Sequence, residues 1–317
     1  MDAVPYKFVD SVVELFHGEK TLDPLAREVV HPLWKAAVDV HHRNREYYYI
    51  NVEVTEGGAY LVAQEKWSDT YSNLESIRRN RRFARIMRMD DALYDEWPSF
   101  ANVKPLEEAE VMKQLKAVVP QFEQGFCLFS PSDPADVQKI IVPSLFNRVS
   151  LGTIYLAYHG QITLDFLEDQ INNSPYLETV ELYGNKWSKS VLPLVESFCL
   201  KGRPGKRVDL WITGVTEQLL DINFTQKLFD HWKANGNLRF CIIFSEGTFD
   251  SNERQILWDR GQVVETKPGE FQSIFKHETE KSIAAFGKRS FLDFISCECG
   301  LSEYCLLKDE YPDFHNF

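Results

Sequence analysis

Apolar and polar positions follow two rhythms near the front of this chain. Phe8, Val12 and Phe16 recur at every fourth position with Val9 and Val13 beside them, which predicts a helix over 4–16 that Gly18 stops. Pro5 suits its first turn, where the missing N–H costs nothing. Val29, Val30, Leu33, Ala37 and Val40 share one face of a second helix over 23–42, in which Pro32 marks a kink or a division. The rhythm then shortens to two. Tyr47–Val54 and Tyr60–Lys66 read as a hairpin around Glu56-Gly57-Gly58. Residues 67–82 read as polar loop, and Phe83–Met89 as a third strand.

A longer rhythm follows. Five apolar runs, GFCLF (125–129), TIYLAY (153–158), TVELYG (179–184), RVDLWITG (207–214) and RFCIIF (239–244), are each followed by a helix-like stretch. Counted from Phe126, Ile154, Val180, Val208 and Phe240, they are 28, 26, 28 and 32 residues apart. A period of that size predicts a strand–helix solenoid of leucine-rich-repeat type. A doubly wound parallel sheet has the same local elements and is the alternative. The helices fall near 106–118, 137–145, 163–173, 188–200, 224–234 and 251–259. Residues after 270 are less regular and read as a cap, with FQSIFK (271–276) as a last strand. The expected fold is therefore α/β: a helical segment at 1–45, a small β insert at 46–105, and an LRR-like repeat domain at 106–317.

Composition narrows the function. The net charge of −12 disfavours general affinity for nucleic acid or anionic membrane. No apolar run reaches the ~18 residues of a membrane span, and Asp2, Asp10 and Glu14 interrupt the first apolar stretch, unlike a signal peptide. The cytoplasm or nucleus is expected, with the six cysteines as free thiols.

Candidate chemistry is sparse. Walker, dinucleotide, HExxH and nucleophile-elbow motifs are all missing, so no enzyme and no cofactor are expected. Cys297, Cys299 and Cys305 form C-x-C-x5-C, which lacks paired C-x2-C knuckles, so no metal is expected either. His41 and His42, about 100° apart on a helix, read as a solvated helix end. Arg78, Arg79, Arg81, Arg82, Arg85 and Arg88 crowd one segment. They offer an anion or RNA site, or a basic surface paired with the protein's own carboxylates, for example Glu107, Glu108 and Glu110. The second reading is favoured. Tyr158, Tyr183 and Trp211 lie on repeat strands; with Leu182 and Leu210 pointing inward, Tyr183 and Trp211 face outward and suit a protein-binding surface. They would otherwise lie under a flanking layer.

The first 45 residues resemble a degenerate F-box. V-P-Y-K-F-V-x-S-V-V-E-L-F is followed by L-D-P-L-A-x-E-V-V-x-P-L-W-K, and the motif positions would be Pro5, Phe8, Val12, Leu25 and Trp34-Lys35. Val4-Pro5 stands where an F-box has leucine-proline, and Pro32 lies inside the last helix. With its repeats, the chain resembles the nematode F-box and F-box-associated families. The resemblance implies a substrate receptor of an SCF-type ubiquitin ligase, one copy per complex. The front helices would bind a Skp1-like adaptor, and the repeats an unidentified protein target. Repeat scaffolding without ligase coupling, and RNA binding through the arginines, are the alternatives.

Overall fold

A computed structural model describes residues 4–68, 71–91, 103–130, 135–184, 186–215, 218–287 and 291–316. The chain is a mixed α/β protein with two compact units. The first takes Met1–Thr153 and Asn173–Tyr176, and the second takes the remainder.

The first unit opens with helices α1 (Tyr6–Glu14), α2 (Asp23–Glu28) and α3 (Pro32–Asn44). The single helix expected over 23–42 is two. Proline forces the residue before it out of the helical region, and His31 is extended (φ −66°, ψ 121°). Val9, Val13, Leu22, Ala37 and Val38 form the fully buried centre of this layer, and Phe16 stacks on Trp34 at 6.4 Å. Strands β1 (Glu46–Thr55) and β2 (Gly58–Glu65) form the expected hairpin. Residues 67–82 are not all loop. They hold β3 (Tyr71–Ser72) and the short helix α4 (Glu75–Arg79), which buries Ile77. Next come β4 (Ala84–Asp91), α5 (Glu108–Val118), β5 (Phe122–Ser130) and α6 (Ala135–Leu145). The strand order is β3-β2-β1-β4-β5, with β4 parallel to both of its neighbours.

Strand β6 (Leu151–Ala157) carries the chain into the second unit. There α7 (Gln161–Asn173), β7 (Thr179–Tyr183), α8 (Leu192–Cys199), β8 (Val208–Thr213), α9 (Ile222–Asn235), β9 (Phe240–Phe244) and α10 (Ser251–Arg260) alternate as expected. β7, β8 and β9 are parallel. Val208 pairs with Phe240, but Val180 pairs with Leu210, two residues beyond the spacing read from sequence. A shift of two keeps every side chain on its face.

The chain after 260 is more regular than a cap. Strands β10 (Gln262–Lys267), β11 (Glu270–Lys276), β12 (Ser282–Gly287) and β13 (Phe291–Ser296) form an antiparallel meander, and β13 pairs with β9. The order is β6-β7-β8-β9-β13-β12-β11-β10. Short helices α11 (Leu306–Glu310) and α12 (Pro312–His315) complete the tail.

Adjacent strand residues face opposite ways, and β13 puts this to use. Phe294 packs on Phe240 and on Trp232 of α9, with centroids 4.6 and 5.8 Å apart. Ile295 turns to the other face, where Ile274, Ile283, Ala285 and Leu307 bury one another and Tyr311 and Phe314 pack against them. The tail therefore covers this face of the meander. Helix α9 starts on Asp221, which accepts the Phe224 N–H at 3.0 Å, and ends on Gly236 at φ 64°. A Cβ there would lie 2.3 Å from Glu280 Cγ, so glycine is required twice over. Among the described residues, no helix is long and apolar enough to cross a membrane.

Candidate functional site

Helix α1 shows two different faces. Val9 and Val13 are fully buried, while Phe8 and Leu15 are 59% and 64% exposed. Seven residues apart, Phe8 and Leu15 lie on one stripe, and Val4 and Tyr6 at the helix start are exposed as well. The other F-box-like positions divide. Pro5 is exposed, Val12, Leu25 and Trp34 are half-buried, and Leu25 and Trp34 pack against the helical core. The Skp1-type set inferred from sequence thus contains one fully displayed large side chain, Phe8. Leu15, outside that set, is an exposed apolar side chain on the same stripe that sequence reasoning did not single out. Its seven-residue spacing from Phe8 was the available signal.

The polar underside of α1 accounts for much of the arginine segment. A helix C-terminus leaves carbonyls without intrahelical partners and carries partial negative charge. Arg45, buried at the start of the sheet layer, donates to the carbonyls of Val13 and Glu14 at 2.9 Å each and to that of Phe16. Arg85, also buried, donates to the Glu14 carbonyl at 2.9 Å and to that of Ala84 at 2.7 Å. Glu123 completes the buried group, accepting the Gly18 N–H at 2.6 Å and lying 3.6 Å from Arg45.

Arg82 grips both oxygens of Asp10 at 2.7 and 2.9 Å. Arg78 and Arg79 pair with Glu75 at 3.8 and 3.0 Å, Arg88 with Asp90 at 2.7 Å, and Arg81 is exposed. The carboxylates that meet them are Asp10, Glu14, Glu75 and Asp90, in place of the Glu107, Glu108 and Glu110 named from sequence. His41 is not a solvated helix end: it is fully buried, with Nε2 3.1 Å from Asp10. Burial lowers its pKa, and the Asp10 contact only partly offsets this. Burial also raises Asp90 to about 6 against the pull of Arg88.

In the second unit Val180, Leu182, Leu210 and Ile212 are fully buried, and the alternating positions face the other way. Tyr183 and Trp211 are 43% and 37% exposed. Glu181 stands beside Trp211 and accepts from Thr213. Tyr158 is half-buried, with its ring 5.4 Å from that of Trp187. Further along the same face, Arg207 pairs with Asp209 at 2.7 Å, and Arg239 lies 3.4 Å from both Asp293 and Glu298. Burial raises Asp293 to about 6, with Arg207 and Arg239 opposing.

Just after β13 the fold assembles a group that the sequence reading did not. Cys297 and Cys299 lie with Sγ 3.4 and 3.3 Å from Nε2 of His315, and the sulfurs of Cys297 and Cys305 are 3.9 Å apart. The fourth member, His315, stands ten positions after the last cysteine, outside the C-x-C-x5-C run.

For an enzyme reading, a cavity of about 430 Å³ near β2 and α4 is lined by Leu61, Tyr71, Leu74, Glu75, Arg78 and others. Its Glu75 and Arg78 are paired with each other at 3.8 Å. No family model matches the chain, and neither a curated protein nor a solved structure does.

Proposed function

We propose that the chain is a protein-binding adaptor, a substrate receptor of an SCF-type ubiquitin ligase. Its front helices would bind a Skp1-like adaptor, and its repeats would form an LRR-like solenoid that captures the target. The observation that carries the reading is the Phe8–Leu15 stripe. The opposite side of α1 satisfies the core and Arg45 and Arg85 hold its end, yet two large apolar side chains stay in water. Buried on a partner, such side chains act as binding hot spots. The solenoid part draws support from β6-β7-β8-β9, where sequence neighbours are sheet neighbours and a helix intervenes each time. The outward Tyr183 and Trp211 supply aromatic surface for a target. The receptor catalyses nothing; it raises the target's effective concentration near the ubiquitin-carrying enzyme.

The test is direct binding of the full chain to purified Skp1, beside Phe8→Ala/Leu15→Ala. The reading expects binding by the parent and a loss above about tenfold in the variant. Trp34→Ala is a poor probe because Trp34 stacks on Phe16 inside the layer. No binding by the folded parent would leave a repeat scaffold without ligase coupling. The RNA reading is disfavoured because most of its arginines are held by the protein's own acids and carbonyls.

A further inference from the structure

We infer that Cys297, Cys299, Cys305 and His315 bind one Zn²⁺ ion, which fastens the tail over the antiparallel meander. Their four ligand atoms lie within 4.8 Å of one another. Tetrahedral zinc, with bonds of about 2.3 Å to sulfur and about 2.0–2.1 Å to nitrogen, sets edges of roughly 3.8 Å between sulfurs and roughly 3.5 Å between sulfur and nitrogen. The observed edges are 3.9 Å for Cys297 to Cys305, and 3.4 and 3.3 Å for His315 to Cys297 and Cys299. A disulfide would need about 2.05 Å.

The surroundings are those of a metal site. The Glu298 N–H donates to the Cys305 sulfur at 3.3 Å, an arrangement that stabilises thiolate. The Glu298 side chain fixes the turn between the first two cysteines: it accepts the Gly205 N–H at 2.8 Å and faces Arg239 at 3.4 Å. His315 presents Nε2 to the sulfurs while Nδ1 meets Asn316 Oδ1 at 3.3 Å, the outer contact that sets a ligand's tautomer. Phe314 packs against the meander's cluster and Tyr311 donates to Gln272 at 2.9 Å, contacts that bring His315 to the sulfurs and that the ion would lock.

Three sulfurs and one imidazole select zinc over the hard cations magnesium and calcium. Four protein ligands close the coordination sphere, so the ion holds structure and performs no catalysis. Binding displaces three thiol protons to solvent and leaves a centre of net charge −1, without oxidation or reduction. The inference is independent of the adaptor reading.

The experiment is elemental analysis of the full chain, purified under reductant without a metal-affinity step and dialysed with micromolar zinc. One zinc per chain is expected, and cobalt in its place gives the intense visible bands of a tetrahedral sulfur-rich site. Cys299→Ser and His315→Ala, at an exposed and a half-buried position, are expected to lose the zinc while keeping the parent's circular dichroism. His231→Ala, at an exposed histidine outside the cluster, keeps it. In the parent, a chelator opens the tail to proteolysis after residue 297. Sub-stoichiometric zinc with freely reactive thiols overturns the inference. So does a Cys297–Cys305 disulfide in the reduced preparation, stoichiometric iron or copper instead, or zinc retained by both cluster variants.

Discussion

Helix α1 at the front is closed by guanidiniums, whereas the tail helices α11 and α12 run from a sulfur at Cys305 to an imidazole at His315. At the front, Arg45 and Arg85 reach the last carbonyls of α1 from the sheet layer. A guanidinium is neither oxidised nor a metal ligand under ordinary conditions, so that closure is indifferent to oxidants and to metal supply. At the tail, His315 meets Cys297 and Cys299, groups whose state depends on redox poise, protons and metal. The same task, holding a short helical segment on a sheet, is done in one place by fixed charge and in the other by groups that can be switched. Sensitivity to oxidants and to metal supply therefore belongs to the tail.

The largest expected effect would break the front. Arg45→Ala removes a donor from three carbonyls, of which that of Glu14 keeps Arg85 and that of Val13 keeps the Phe16 N–H, and leaves Glu123 buried beside Gly18 without its guanidinium. Removing one partner of a buried pair costs about 3–5 kcal/mol, so the urea midpoint falls steeply; an unchanged midpoint would show the guanidinium to be idle. Next in size is a pH effect in the second unit. Burial holds Asp293 at about 6 in the folded chain, above the ~3.9 of an unfolded chain. The folded state therefore keeps its proton longer. The stability this confers is present below pH ~4 and lost as pH rises through about 6. Asp293→Asn removes that slope, so parent minus variant stability falls by about 2–3 kcal/mol between pH 4 and 7. A parallel pair of pH curves would refute it. His41 at the front runs the other way. Its lowered pKa gives stability that is present above ~6.5 and lost as pH falls through the folded value.

Ser282→Ala probes the layer beneath the tail. It leaves the buried Trp232 indole N–H, now bonded at 2.8 Å, without its acceptor, at a cost of about 1–3 kcal/mol in thermal or urea unfolding. The smallest effect sharpens the contrast most. Phe8→Ala is expected to change stability by under about 0.5 kcal/mol, because its side chain is in water, while weakening adaptor binding. A destabilised Phe8→Ala would make α1's outer stripe part of the fold instead of a contact surface.

Much of the fold was legible wherever one rhythm held. β7 matches its apolar run up to the closing Gly184, and α5, α7, α9 and α10 match within a few residues. The misses have physical causes. β12 is buried at all six positions and β13 nearly so, which erases the alternation that marks a strand. α4 is too short for a helical period to show. The arginine segment was legible as charge but not as carpentry, because the carbonyls it serves lie up to 71 residues earlier in the chain. The sulfur cluster was legible by three-quarters. Its cysteines stand close in sequence, but only the folded tail brings in His315.

The closure of α1 also has a consequence in time. The front helices leave the ribosome well before the residues that secure them. Arg85 follows Glu14 by 71 positions, and Glu123 follows Gly18 by 105. At synthesis rates of about 5–20 residues per second, the nascent front waits on the order of 5–20 s for Glu123. During that interval the apolar core of the front helices, whose members all precede residue 45, is already made, but the Gly18 N–H lacks its buried acceptor, so the closure of α1 is completed late in synthesis.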